Sequence, residues 1–287
     1  MTRNQRLGPL DPLFDEDTQY GAISVGNTPG SGSQTVPDIS TTTPAFGTIS
    51  GGTSVTIIGA GFTDVTSVTI GGSSVSFSII TDGQITATTS AHTFGLVDIA
   101  VIKLGIGSDT AVNAFRFAPA SFTETFSGAL SQFDSTLNVN IVSGELNGTG
   151  GSLQAVTKIL LPSATGFYGE MGIVATKPQH NYQFYPEPTT AQFWLAQLQS
   201  MVTSHLASNT TGPNSAGASN AAPFTYRIEV APAGANTAIR YYADGVLKNT
   251  LSSTGAFDIA SLMTANAYWD SGPGTGPLIT SMSAGPL

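Results

Sequence analysis

Between residues 54 and 117 the chain repeats one pattern. A short run alternates apolar and polar residues, and a glycine or Asp-Gly turn closes it. Ser54-Val-Thr-Ile-Ile58 sets Val55 and Ile57 on one side, and Ser74-Val-Ser-Phe-Ser-Ile79 does the same with Val75, Phe77 and Ile79. Ser67-Val-Thr-Ile70, Gln84-Ile-Thr-Ala-Thr88, Leu96–Ile102 and Ala111–Phe117 continue the series. A side-chain period of two is that of a half-buried strand; a helix of period 3.6 would scatter these apolar residues around its axis. Gly51-Gly52, Gly59, Gly61 and Asp82-Gly83 fall where the chain must reverse, and the series amounts to about seven strands of a β-sandwich.

Composition extends this reading to the whole chain. Only 9% of the 287 residues are charged, against roughly 25% in ordinary soluble domains. Ser, Thr, Asn and Gln fill the polar positions instead, which suits strand faces better than long exposed helices. Hydrophobic content of 40% argues against overall disorder. The net charge is −9 and the nine Lys/Arg are scattered, so nucleic-acid binding is not expected. Cysteine is absent, which removes disulfides, thiol catalysis and cysteine-based zinc sites. No apolar run reaches the ~20 residues of a membrane-spanning helix. The first 25 residues hold no apolar core of a Sec-type leader, so neither membrane insertion nor Sec export is expected.

The expected organisation has three parts. Residues 1–36 form an extended N-terminal arm and linker, with Asn27-Thr-Pro-Gly-Ser-Gly-Ser-Gln34 as the flexible stretch. One reading makes this a solvated tail; the other makes it an anchoring arm that docks Leu10, Leu13, Phe14 and Tyr20 on another subunit. Asp11, Asp15 and Asp17 lack the glycine and terminal glutamate of a calcium loop. Residues 37–118 are the first sandwich. Within it, Pro44–Phe62 reads Pro-Ala-Phe-Gly-Thr-Ile-Ser-Gly-Gly-Thr-Ser-Val-Thr-Ile-Ile-Gly-Ala-Gly-Phe and closely resembles the opening of an IPT/TIG domain, an immunoglobulin-like module. Val68-Thr-Ile-Gly-Gly72, Gly95–Val101 and Phe115-Arg-Phe117 fall where that family has them. The resemblance implies a fold and a spacer or presentation role; the family has no fixed chemistry.

Residues 119–287 read as a second, larger all-β unit. Phe122–Phe126, Ala155–Leu161, Gly169–Ala175, Phe224–Val230 and Ala238–Tyr242 are its expected strands, with Ala231–Thr237 as a hairpin loop. Tyr226-Arg-Ile-Glu, the loop, then Ile239-Arg-Tyr-Tyr-Ala-Asp-Gly-Val-Leu is similar to the concanavalin A-like lectin/glucanase sandwich, especially its laminin-G-like branch. Residues 189–206 fit a helix through Trp194, Leu198, Met201 and His205 and fit a buried strand equally well. Asn209–Ala222 reads as an exposed loop.

Chemistry is sparse. His92, His180 and His205 have no metal-binding spacing, and no Gly-x-Ser-x-Gly elbow is present. Neither a metal nor an organic cofactor is expected. Retaining glucanases of the resembled fold carry Glu-x-Asp-x-(x)-Glu on one strand, whereas Gly169–Ala175 carries only Glu170. Glu229 is expected to pair with Arg227 or Arg240, and Asp244 to form a turn with Gly245. Sugar binding needs exposed rings among hydrogen-bonding groups; Tyr182, Tyr185, Trp194 and Trp269 are the candidate glycan-binding residues, against a reading in which such rings fill the core.

These observations lead to an all-β protein: an arm, an immunoglobulin-like sandwich, and a jelly-roll/concanavalin A-like sandwich. Display-type modules without cysteine or export signal fit a virion. The chain is therefore expected to be a non-enzymatic bacteriophage structural protein, a capsid decoration, head fibre or tail appendage. It would be assembled in the host cytoplasm and exposed on the particle surface. Its partners would be capsid or tail subunits reached through the arm, further copies of itself, and a host-surface glycan. The alternatives are a bacterial surface or secreted carbohydrate-binding protein and a polysaccharide-degrading glycoside hydrolase.

Overall fold

A computed structural model describes residues 35–143, 145–149, 154–173, 179–186, 194–199, 203–208, 214–217, 224–270 and 279–287. The arm residues Leu10, Leu13, Phe14 and Tyr20 lie outside this set. Among the described residues there is no α-helix, only the 3-10 turn Leu130–Gln132, and hence none long and apolar enough to cross a membrane.

Two sheets face each other in the N-terminal domain. One orders Asp38–Thr43, Ser54–Ala60, Gln84–Thr88 and Ser76–Thr81, all antiparallel. The other orders Phe46–Thr48, Gly107–Ala118, Gly95–Lys103, Ser67–Ile70 and Ser73–Ser74, with one parallel pair between its first two strands. The period-two residues meet between them: Val55, Ile57 and Ile85 from the first sheet face Val68, Ile70, Ile99, Val101, Phe115 and Phe117 from the second. Phe115 and Phe117 stand edge to face, 5.0 Å between centroids, and the His92 ring stacks on Phe117 at 4.9 Å. Burying each such aliphatic or aromatic side chain contributes about 1.5–3 kcal/mol. The Gly51-Gly52 turn takes φ of +77° and +82°. A Cβ on Gly51 would press the Ser90 backbone at 2.5 Å, so glycine is required there.

The C-terminal domain is a larger sandwich of two antiparallel sheets. Its first sheet orders Val139–Val142, Glu145–Gly148, Ile279–Pro286, Phe167–Ile173, Phe224–Ala233, Asn236–Ala243 and Val246–Thr254, with Phe122–Glu124 also paired to Ile279–Pro286. Its second sheet orders Ser135–Leu137, Gln154–Leu160, Met263–Asp270, Gln179–Pro186, Trp194–Gln199, Thr203–Ser208 and Asn214–Gly217. Phe167, Met171, Tyr226, Ile228, Tyr241, Phe184, Met263 and Met282 build the core between them.

Several expectations change here. The helix reading of 189–206 gives way to two paired strands, Trp194–Gln199 and Thr203–Ser208, because a neighbour on each side satisfies their backbone groups. The stretch 209–222, expected as a loop, contains the strand Asn214–Gly217. The Ala231–Thr237 hairpin is tighter than expected: pairing runs to Ala233↔Asn236, so only Gly234 and Ala235 form the turn. Asp244 and Gly245 do form a turn, both at positive φ.

The two domains are joined by polar and apolar contacts. Lys158, only 2% exposed, donates to the Gln132 carbonyl at 2.5 Å, lies 3.5 Å from Asp134 and sits over the Phe94 ring of the first domain. Asp134 also accepts from Arg116 of the first domain at 3.2 Å and from the Ile159 N–H at 2.9 Å. Phe46, Ala118, Ile159, Leu161 and Leu262 pack beside this cluster. Burial pulls the Lys158 ammonium below the usual lysine range while Asp134 opposes that shift. Removing the carboxylate strands a buried cation. Asp134→Ala is therefore expected to lower unfolding stability by about 3–5 kcal/mol, with Asp134→Ala/Lys158→Met recovering most of the loss in denaturant titration.

Candidate functional site

Pleating decides which side chains leave the core. In Phe167–Ile173, Phe167, Gly169, Met171 and Ile173 are buried, which turns Tyr168 and Glu170 outward. In Phe224–Ala233, Tyr226, Ile228 and Val230 are buried and Arg227 and Glu229 face out. In Asn236–Ala243, Ile239, Tyr241 and Ala243 point in, leaving Arg240 and Tyr242 outside. Register then lines these six up in two rows across three strands. One row is Tyr168, Glu229, Arg240; the other is Glu170, Arg227, Tyr242.

Glu229 is the hub. Its Oε1 accepts from Arg227 Nε and lies 3.0 Å from a second guanidinium nitrogen. Its Oε2 accepts from the Tyr242 hydroxyl at 3.0 Å and lies 4.0 Å from Arg240. Arg227 reaches Glu170 at 3.7 Å and covers the Tyr168 ring, with its guanidinium carbon 4.3 Å from the centroid. The patch combines forked donors, carboxylate acceptors, a phenol and a ring, and its two arginines balance its two glutamates. Burial, helped by the Glu229 carboxylate, holds the Tyr242 phenol above the ordinary tyrosine range, so it stays protonated and donating.

Glycoside hydrolysis uses two carboxyl groups flanking one bond. Glu170 and Glu229 both lie within 4 Å of the Arg227 guanidinium, each at a different nitrogen. Among the described residues no group of three or more His, Asp or Glu is placed to hold a metal ion.

The residues singled out from sequence are dispersed. Tyr185 is half-buried and lines a cleft of about 460 Å³ where the domains meet, with Phe94, Leu96, Arg116, Asp134 and Thr157. The backbone register sets Trp194 opposite Phe184 and Trp269 opposite His180, two residues from Tyr182; the side chains of Tyr182, Trp194 and Trp269 lie outside the described residues. Phe184 and Tyr241 are core residues, fully buried. The expected pairing of Glu229 with Arg227 and Arg240 is present. Sequence reasoning has Glu170 only as the lone carboxylate of its strand and does not join it or Tyr168 to Arg227. They are some sixty residues from Arg227 and join the array only because Phe167–Ile173 pairs with Phe224–Ala233.

The IPT/TIG domain family model matches residues 37–123. No curated protein matches the chain. Solved structures similar to the chain include the beta-glucanase of Bacillus licheniformis, 15% identical over 58% of this chain and 99% of that one, TM-score 0.41. Crh5 transglycosylase is 13% identical over 59% of this chain and 85% of that one, TM-score 0.43. Alginate lyase Aly36B is 7% identical over 59% of this chain and 98% of that one, TM-score 0.45. All three likenesses are distant, and the strand order itself defines the sandwich. They nonetheless correct the expectation that the chain is not an enzyme: the structures named are those of enzymes, so the fold gives no ground for denying catalysis.

The array makes a spectroscopic prediction. Glu229→Gln removes the carboxylate that disfavours phenolate. One tyrosine, identified by its loss in Tyr242→Phe, is expected to titrate at lower pH in Glu229→Gln than in the parent by ultraviolet difference absorbance.

Proposed function

We propose that the chain is a carbohydrate-engaging protein whose C-terminal sandwich meets a polysaccharide at the outer face of its first sheet, with the IPT/TIG-like domain as its carrier. The two-row array of Tyr168, Glu229, Arg240 and Glu170, Arg227, Tyr242 supports this reading. A sugar offers hydroxyls that both donate and accept, and C–H faces that pack on rings. This patch supplies charged donors, charged acceptors and aromatic surface side by side. In a chain with 9% charged residues, such a concentration on one face calls for a ligand.

A second reading follows from Glu170 and Glu229 lying at one guanidinium: the same face would cleave the polymer it binds, with one carboxyl as acid and the other as base or nucleophile once a substrate displaces Arg227. One experiment addresses both. The protein is titrated against a panel of insoluble and soluble polysaccharides, including β-glucan, alginate and peptidoglycan, with release of reducing ends followed in parallel. Arg227→Ala is expected to weaken retention at least ~10-fold with unchanged circular dichroism, the loss of a charged hydrogen-bond donor. Under the cleavage reading, Glu170→Gln and Glu229→Gln abolish product while retaining the polymer. Equal retention of parent and Arg227→Ala on every polymer retained would sink the site.

The setting we propose is a bacteriophage particle, with the segment 1–34, which carries Leu10, Leu13, Phe14 and Tyr20, attaching it to capsid or tail subunits. The absence of cysteine and the pairing of two display-type modules support this. Peptides of this chain are expected in purified particles. Recovery only from bacterial surfaces or medium points to the bacterial carbohydrate-binding alternative instead.

A further inference from the structure

The four-stranded sheet of the N-terminal domain has two edges, and the fold treats them differently. At one edge, Asp38–Thr43 is closed off by the opposite sheet: the Ile39 N–H donates to Asp109 Oδ2 at 2.7 Å, and Thr42 Oγ1 donates to the Ala114 carbonyl at 3.3 Å. At the other edge, Ser76–Thr81 pairs with Gln84–Thr88 on its inner side, and among the described residues no strand pairs with its outer side.

That open edge lacks most of the devices that keep sheets apart. Proteins block edges with lysines, prolines, inward-pointing charges, bulges or a covering loop. From Thr66 to Thr81 there is no charged residue and no proline. A register shift lies between Ile79 and Thr81, at one end, and leaves Ser76–Ile79 straight. Ile79 and Ile80 are 39% and 55% exposed, and Val75 and Phe77 lie half-buried at the rim of the core. The chain as a whole carries −9, so two copies repel in most approaches; this edge is a place where they meet without like charges opposed.

We propose that Ser76–Thr81 is a homodimer edge, pairing antiparallel with the same strand of a second copy to make one continuous eight-stranded sheet. The occupant is a second copy because the strand is uncharged and matches itself under a two-fold axis. Because the far edge of the same sheet is closed off, the contact ends at two copies and does not run on into a filament. In a continuous sheet, residues opposite one another must share a face, so the axis passes through a residue and not between two. Placing it at Ser78 brings Phe77, at the rim of the core, opposite the exposed Ile79 of the partner subunit, twice, and so covers these two side chains. This proposal is independent of the carbohydrate face, which lies on the other domain.

The absence of cysteine makes the test clean, since an introduced thiol has no native competitor. In the full chain, Ser78→Cys is expected to form a covalent dimer on mild oxidation or with a short thiol crosslinker, well above the level given by Val246→Cys, an exposed position on the other domain. Light scattering is expected to give twice the 29.4 kDa chain mass at micromolar concentration. Ser78→Lys, which sets two ammonium groups face to face at an exposed position, is expected to weaken the dimer ~10-fold or more with unchanged circular dichroism. A parent that stays monomeric at tens of micromolar overturns the proposal. So does a dimer that Ser78→Lys leaves intact and Ser78→Cys does not trap. If Ser78→Lys fails to fold, the comparison of Ser78→Cys with Val246→Cys decides alone.

Discussion

A pleated strand commits every second side chain to one face, and almost everything in this protein follows from that constraint. Tyr168, Glu170, Arg227, Glu229, Arg240 and Tyr242 share a surface because Phe167, Met171, Tyr226, Ile228, Ile239 and Tyr241 share a core. The array therefore cannot be shifted by one residue on any strand without turning a charged side chain, Glu170, Arg227 with Glu229, or Arg240, into the interior. Charged residues in the core would cost several kcal/mol each. The apolar core thus fixes the register of the polar face, and the polar face needs no separate device to assemble it.

The same constraint explains which parts of the structure could be read from sequence. Most of the first domain was legible from Ser54 onward, since Val55, Ile57, Phe77 and Ile85 alternate and glycines mark the reversals, whereas Asp38–Thr43 and Phe46–Thr48, which carry little apolar alternation, were not read as strands. The second was legible only in outline. Trp194, Leu198, Met201 and His205 carry a helical spacing, yet neighbours on both sides draw the backbone of 194–199 and 203–208 into the second sheet. Rings were weak guides to a ligand face: Tyr241 has the same type and setting as Tyr242 but points the opposite way. Half of the Glu229 network was foreseeable within its hairpin. The other half depends on strand order, which local patterns do not encode.

Charge scarcity takes on meaning once placed. Two of the nine basic residues, Arg227 and Arg240, lie in the sheet-face array, and two more, Arg116 and Lys158, lie at the domain junction around Asp134. Each cluster brackets a carboxylate. The junction cluster is the more buried of the two and joins Arg116 and Phe94 of one domain to Asp134 and Lys158 of the other, so the IPT/TIG-like domain is coupled to its neighbour and is not a loose spacer.

The strand Ile279–Pro286 lies inside its sheet, between Glu145–Gly148 and Phe167–Ile173, and also holds Phe122–Glu124. During vectorial synthesis on a ribosome, Phe167–Ile173 must therefore wait for a neighbour that emerges on the order of a hundred residues later. Until then the strand bearing Tyr168 and Glu170 has one unpaired flank. Birth of this domain is thus a late, concerted event, and an interrupted translation product lacking that strand would present a sticky flank to chaperones and proteases instead of a half-built binding face.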